Sequence, residues 1–186
     1  MPTQVAQRLV LDRAQLVVVD IQEKMLPHIT GREQVLEQSV RMIRAACEMG
    51  LPVTVSEQYV RGLGPTVGEV LEATGDAERL EKMSFSLLGD EPLSRRILGL
   101  SRPQVLLVGI ETHVCVQQTA LDLLAAGHLP VVLVDAVGSR RPTDRDTALT
   151  RMRDAGAVVT TVESAIFDML VRAGTDVFKR ILPLVR

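Results

Sequence analysis

Five short runs of nearly unbroken Val, Leu and Ile, with helical patterns between them, constrain this chain more than any other feature. They are Leu16–Asp20, Pro52–Ser56, Gln104–Val108, Val131–Asp135 and Ala157–Val162. Runs of this length with no polar alternation read as strands covered on both faces, as in a parallel sheet. A weaker, charged sixth strand is expected at Arg79–Lys82. From Glu33 to Met49, Leu36, Val40, Ile43 and Cys47 recur at helical spacing, and Gly50 supplies a stop. A second helix is expected from Thr112 to Ala126, with Val116, Ala120, Leu123 and Leu124 as its apolar stripe and Gly127 after it. A third runs from Pro142 to Ala155 and ends at Gly156; proline is tolerated in a first turn. Alternating strands and helices predict a doubly wound α/β fold with helices on both faces of a parallel sheet. All 186 residues are read as one domain, since no linker, repeat or low-complexity segment interrupts them. The glycine-rich stretch from Gln58 to Glu78 is expected to be a long loop that walls a pocket.

Composition excludes several function classes. Apolar residues are 46% of the chain, which suits a packed core and not a disordered segment. The formal net charge is −2 with mixed signs throughout, so neither nucleic acid nor a membrane surface is an expected partner. One tyrosine, three phenylalanines and no tryptophan leave little to stack on bases. No run reaches the ~20 apolar residues of a membrane helix, and the N-terminal residues lack the layout of a secretory signal. Two cysteines, Cys47 and Cys115, do not suggest a disulfide framework, and a cytoplasmic location is expected.

Cys115 is the residue most charged with chemical meaning. It lies just after the Gln104–Val108 run, past a tight turn expected at Gly109. It would fall in the first turn of the following helix, where backbone N–H groups and the helix dipole favour a thiolate. Asp20 ends the first strand, at the edge where open α/β sheets bind ligands. If the first and fourth strands are neighbours, Asp20 and Cys115 meet there. Lys82, on the weak strand, reads by itself as a solvated lysine. Cys47 reads as a small core hydrophobe. His113 is two residues from Cys115, and residues so spaced on a helix do not face each other. Asp135 and Glu163 read as turn or cap residues.

Three segments resemble the isochorismatase-like cysteine hydrolases, and within them the isochorismatase domain-containing proteins. They are Val17-Val-Val-Asp20-Ile-Gln22, the Lys82-Met-Ser-Phe-Ser86 stretch, and Gly109-Ile-Glu-Thr-His-Val-Cys115-Val-Gln-Gln-Thr119. The order Asp, Lys, Cys fits, and the likeness covers nearly the whole chain. The resemblance implies about six strands in the order 3-2-1-4-5-6. It implies an Asp20–Lys82–Cys115 triad, with Asp20 as general base and Cys115 as nucleophile. A cis peptide at Ile110–Glu111 and an oxyanion hole from the N–H groups of Glu111 and Cys115 are implied in the same way. The pocket is expected to include Gln22, Gln58, Tyr59 and Thr112. Homo-oligomers, dimers or larger, are expected from the relatives.

The histidines His28, His113 and His128 are scattered, with no ligand spacing after the second strand, so no metal and no cofactor are expected. Retention of the cysteine favours attack on an amide-like C–N bond of a small molecule through a thioester. The alternatives are vinyl-ether cleavage of the isochorismatase type and a catalytically silent member acting as an interaction scaffold. A dinucleotide-binding module is disfavoured, because Gly62-Leu-Gly64-Pro-Thr-Val-Gly68 displaces the third glycine and Pro65 interrupts the turn. A redox role for Cys115 is a further reading. Arg140 or Arg141 could orient a substrate carboxylate, though surface duty is the plainer reading.

Overall fold

A computed structural model describes residues 8–185. The N-terminal residues 1–7, read above for a targeting signal, lie outside the described residues. Six parallel strands form one sheet in the order β3-β2-β1-β4-β5-β6, which is the order implied by the resemblance. They are β1 (Ala14–Val19), β2 (Val53–Gln58), β3 (Glu78–Lys82), β4 (Gln104–Ile110), β5 (Leu129–Gly138) and β6 (Val158–Thr160). The helices are α1 (Arg32–Met49), α2 (Val60–Leu63), α3 (Gly68–Thr74), α4 (Glu91–Gly99), α5 (Gln117–Ala125), α6 (Pro142–Ala155), α7 (Val162–Leu170) and α8 (Asp176–Ile181).

Both sheet faces are covered, as the apolar runs require. Leu16 and Val18 of β1 pack with α1, α3 and α7 residues on one face, while Val17 and Val19 pack with α4, α5 and α6 residues on the other. The charged strand β3 is at the edge, where Glu78, Arg79 and Glu81 are exposed and Lys82 is buried. Charged side chains on an edge strand oppose further pairing. The segment after β2 is not a plain loop. It forms α2 and α3, and Thr66 donates to Glu57 through both its backbone N–H (2.8 Å) and its hydroxyl (2.7 Å).

Two helical faces differ from expectation. The face of α1 that meets the sheet carries Val35, Ser39, Met42, Ala46 and Met49, one residue offset from the stripe read in the sequence. Small residues at Ser39 and Ala46 let the helix backbone approach the sheet closely. Ile43 is shared by both stripes and is buried, but Cys47 is exposed and its thiol contacts the Ala73 carbonyl at 3.7 Å. The expected continuous helix from Thr112 is a π-helical turn, Thr112–Val116, leading into α5. Its stripe is otherwise as read, except that Leu124 is half-buried. The amphipathic C-terminal run packs back on the molecule, with Ile181 fully buried and Arg180 paired to Glu48 of α1 at 2.9 Å. No helix among the described residues is long and apolar enough to cross a membrane.

Gly109 is not in a turn. Strand β4 continues through it to Ile110, and its pairing with β5 shifts register between Leu107 and Gly109. Gly109 adopts φ +117°, and a Cβ there would stand 2.0 Å from the Val19 carbonyl oxygen. Only glycine allows β1 and β4 to approach this closely at the sheet end that carries Asp20. Replacing Gly109 with Ala is expected to destabilise the chain by about 3 kcal/mol, lowering Tm by roughly 6–12 °C in a thermal melt.

Candidate active site

The parallel register brings three distant segments to one edge. Val19, the last residue of β1, is level with Ser56 of β2 and Gly109 of β4. Asp20 follows immediately with φ +51°, a left-handed conformation that aspartate tolerates better than most residues. That turn keeps its carboxylate at the sheet edge. The Ser56 hydroxyl donates to Asp20 Oδ1 at 2.7 Å, and the Asp20 N–H donates to the Ser56 carbonyl at 3.2 Å. The Ile110–Glu111 peptide bond is cis, and Cys115 sits in the π-helical turn that follows.

Lys82 reaches in from the edge strand. It is level with Gln58 of β2, and it is only 1% exposed. Its Nζ lies 2.8 Å from Asp20 Oδ2 and 3.6 Å from Cys115 Sγ. It also donates to Gln58 Oε1 (2.5 Å) and to the carbonyls of Ser84 (3.2 Å) and Phe85 (3.3 Å). An ammonium has three protons to give, so these partners exhaust it. Lys82 is therefore not a solvated lysine. A buried ammonium must be paired, and the nearest anion is Asp20.

Burial pushes the Cys115 thiol up to about 12; the Asp20 carboxylate adds to this, and Lys82 opposes it. The expectation of a stabilised thiolate is overturned for the resting site. Asp20 and Lys82 already pair with each other, so a neutral thiol adds no charge to the buried trio, whereas a thiolate adds one with no partner of its own. Burial thus favours the protonated thiol at neutral pH.

A cavity of about 100 Å³ opens beside the thiol. Its apolar walls are Met25, Leu63, Phe85, Ile110 and Val114, and its polar ones are Asp20, Gln58, Glu111 and Cys115. Of the expected pocket residues, Gln58 lines it. Gln22 does not; its side chain donates to the carbonyls of Gln58 (3.0 Å) and Gly64 (2.6 Å) and accepts the Gln58 N–H (2.7 Å). Gln22 therefore holds Gln58 in place. Tyr59 is folded over Gly62 and exposed, and Thr112 is wholly buried; neither lines the cavity.

His113 does not face the thiol. Its Nδ1 is 3.0 Å from the Ser139 hydroxyl, and it lines a separate cleft with Arg140, Arg141 and Asp144. Arg140 is held by Glu111, with Nε 3.0 Å from Oε1 and its backbone N–H donating to the same oxygen at 3.1 Å. Asp135 accepts the Val162 N–H at 2.9 Å at the start of α7, which is cap duty as read. Ser56, Met25, Leu63 and Phe85 were missed by sequence reasoning. Ser56 carries a signal, a hydroxyl at the end of an otherwise apolar strand; the cavity walls carry none, since a Leu or Phe on the wall looks like any core residue.

The Isochorismatase domain family model matches residues 14–164. The chain belongs to the isochorismatase family. It has the hydrolase fold of that family. The secreted isochorismatase effector Isc1 of Phytophthora sojae is 42% identical over 96% of this chain and 87% of its own length. Isochorismatase domain-containing protein 2A of Mus musculus is 39% identical, over 96% of this chain and 85% of its own. The structure of the MAR1 ribonuclease from Caenorhabditis elegans superposes with a TM-score of 0.90 at 37% identity, covering 96% of this chain and 92% of that one.

Two outcomes test the electrostatics. Lys82→Met is expected to cost about 3–5 kcal/mol in urea unfolding, because it strands a buried carboxylate. Adding Asp20→Asn to it recovers part of the loss, the mark of a coupled pair. For Cys115 the folded state holds the proton more tightly than the unfolded chain, whose thiol ionises near ~8.5. Its stabilising contribution is therefore complete below that pH and is lost as pH rises toward about 12. Between pH 8 and 10 the Cys115→Ala chain is expected to lose less stability than the parent.

Proposed function

We propose that this isochorismatase-family chain is a metal-independent cysteine hydrolase that cleaves the C–N bond of a small amide-like substrate. The observation that carries the reading is the Cys115 thiol beside the buried, lysine-paired Asp20 at the mouth of a small cavity. Asp20 takes the thiol proton as Sγ bonds the substrate carbonyl carbon, and the carbonyl π pair moves onto oxygen. The N–H groups of Glu111 and Cys115 receive that oxyanion. When C=O re-forms, the C–N bond breaks and the proton on Asp20 goes to the departing nitrogen. Water then adds to the thioester and gives its proton to Asp20. Collapse releases the acid, and Cys115 recovers its proton from Asp20.

Lys82 holds Asp20 in position and offsets negative charge on sulfur during attack. No step calls on a cofactor. Residues 1–186 act as one domain in this reading. The free thiols Cys47 and Cys115 suit a reducing compartment, which supports the cytoplasm. Tyr59, Met83 and Phe85 leave apolar surface exposed beside the site, which supports a homo-oligomer. A net charge of −2 and few aromatic residues argue against RNA as the substrate here, whatever the Caenorhabditis elegans relative cleaves.

A screen of amides, imides and ureido compounds tests the proposal. Turnover is expected, with Cys115→Ala and Asp20→Asn each lowering kcat by about 10³-fold or more while the circular dichroism spectrum is unchanged. Aldehyde analogues of a turned-over amide are expected to form a hemithioacetal at Cys115 and not at Cys47. Turnover that survives Cys115→Ala overturns the nucleophile. A silent screen with an unreactive Cys115 supports the scaffold reading instead, and RNA cleavage dependent on Cys115 replaces the substrate class.

A further inference from the structure

We infer that the cavity beside Cys115 selects a small, uncharged, aliphatic acyl group, so that the substrates are short neutral amides. This rests on the hydrolase reading above and narrows its substrate. Size comes first. The cavity holds about 100 Å³. Liquid water takes ~30 Å³ per molecule, and a benzene ring fills a cavity of ~150 Å³. An acyl chain of roughly two to four carbons is held within the smaller space, whereas an aromatic ring extends past its walls into the mouth and loses contact.

Charge comes second. Among the described residues, no lysine or arginine lines the cavity. Its charged wall groups are the carboxylates of Asp20 and Glu111. The nearest cation, Lys82, has its protons committed to Asp20, Gln58, Cys115 and the Ser84 and Phe85 carbonyls. Arg140 and Arg141, the alternative holders of a substrate carboxylate read from the sequence, line the separate cleft with His113, and Arg140 pairs with Glu111. A substrate carboxylate entering here finds each wall carboxylate already holding its cation and no free cation to replace its lost water, which opposes its desolvation.

Polar recognition is also scarce. The amide of Gln58 donates from Nε2 to the Met83 carbonyl (2.9 Å) and accepts at Oε1 from Lys82 (2.5 Å), so both ends are engaged. The remaining wall is apolar, and it grips an alkyl group by contact and exclusion of water. Phe85 closes one side of the cavity, so its ring sets the size limit there.

Two measurements test this. The first uses iodoacetamide and iodoacetate, probes matched in size and unlike in charge, with exposed Cys47 as reference in the same molecule. The rate ratio of neutral to anionic probe is expected to be about ten-fold or more higher at Cys115 than at Cys47. Equal ratios overturn the selection against charge. The second is a kcat/KM series: acetamide, propionamide and butyramide against benzamide and the anion malonamate. The short neutral amides are expected to exceed the other two by about a hundred-fold, and Phe85→Ala is expected to raise benzamide above its parent rate. Turnover of benzamide or malonamate as fast as butyramide, abolished by Cys115→Ala, overturns the substrate assignment and leaves the hydrolase standing. No turnover of these amides, with Cys115-dependent turnover of an imide or ureido compound, also overturns the substrate assignment and leaves the hydrolase standing; silence across the whole screen with an unreactive Cys115 removes both.

Discussion

The site depends on one buried ion pair, Asp20 with Lys82, at 2.8 Å. Each charge is costly away from water, and each is tolerable because the other is there. The pair ties the edge strand β3 to the end of β1 across β2, where Lys82 is level with Gln58. It also sets the state of the thiol. A carboxylate and an ammonium already balance, so a neutral sulfur is the least costly third member. In the proposed reaction this ties reactivity to substrate, with Asp20 accepting the proton as the new bond forms. An apolar cavity strengthens these charge effects by keeping water scarce.

Around that pair the polar groups form a connected set. Ser56 donates to one Asp20 oxygen and Lys82 pairs with the other. Gln58 binds the ammonium, and Gln22 in turn grips the Gln58 backbone. The network reaches the segment after β2 through Gly64. It is built mostly from residues at the C-terminal ends of parallel strands and the turns after them, where side chains leave the sheet and can converge. Glu111 stands at its border and holds Arg140 outside the cavity.

Much of the fold was legible in the sequence because apolar runs and helical spacing are local signals. Pro142–Ala155 has the bounds read from Pro142 and Gly156. The charged edge strand was barely legible, since Glu78–Lys82 has little of the composition of a strand and pairs only because β2 offers an open side. Cys47 was misread because α1 carries two apolar stripes one residue apart, and which faces the sheet depends on how closely the backbones approach. Gly109 was misread because a glycine demanded by contact with Val19 looks, in sequence, like a glycine demanded by a turn. The π-helical turn at Cys115 gave no signal of its own.

The sequence by itself determined the strands and most of the helices and, through the resemblance, singled out Asp20, Lys82 and Cys115 as the candidate trio. Those follow from patterns written within a few residues of each other or from motifs carried whole. Only the tertiary structure decided what these residues are to one another. The protonation of the thiol, the commitment of Lys82 and the size of the cavity come from groups that parallel pairing and packing bring together from far along the chain. Electrostatic energy and excluded volume depend on distances through space, and no local pattern encodes those.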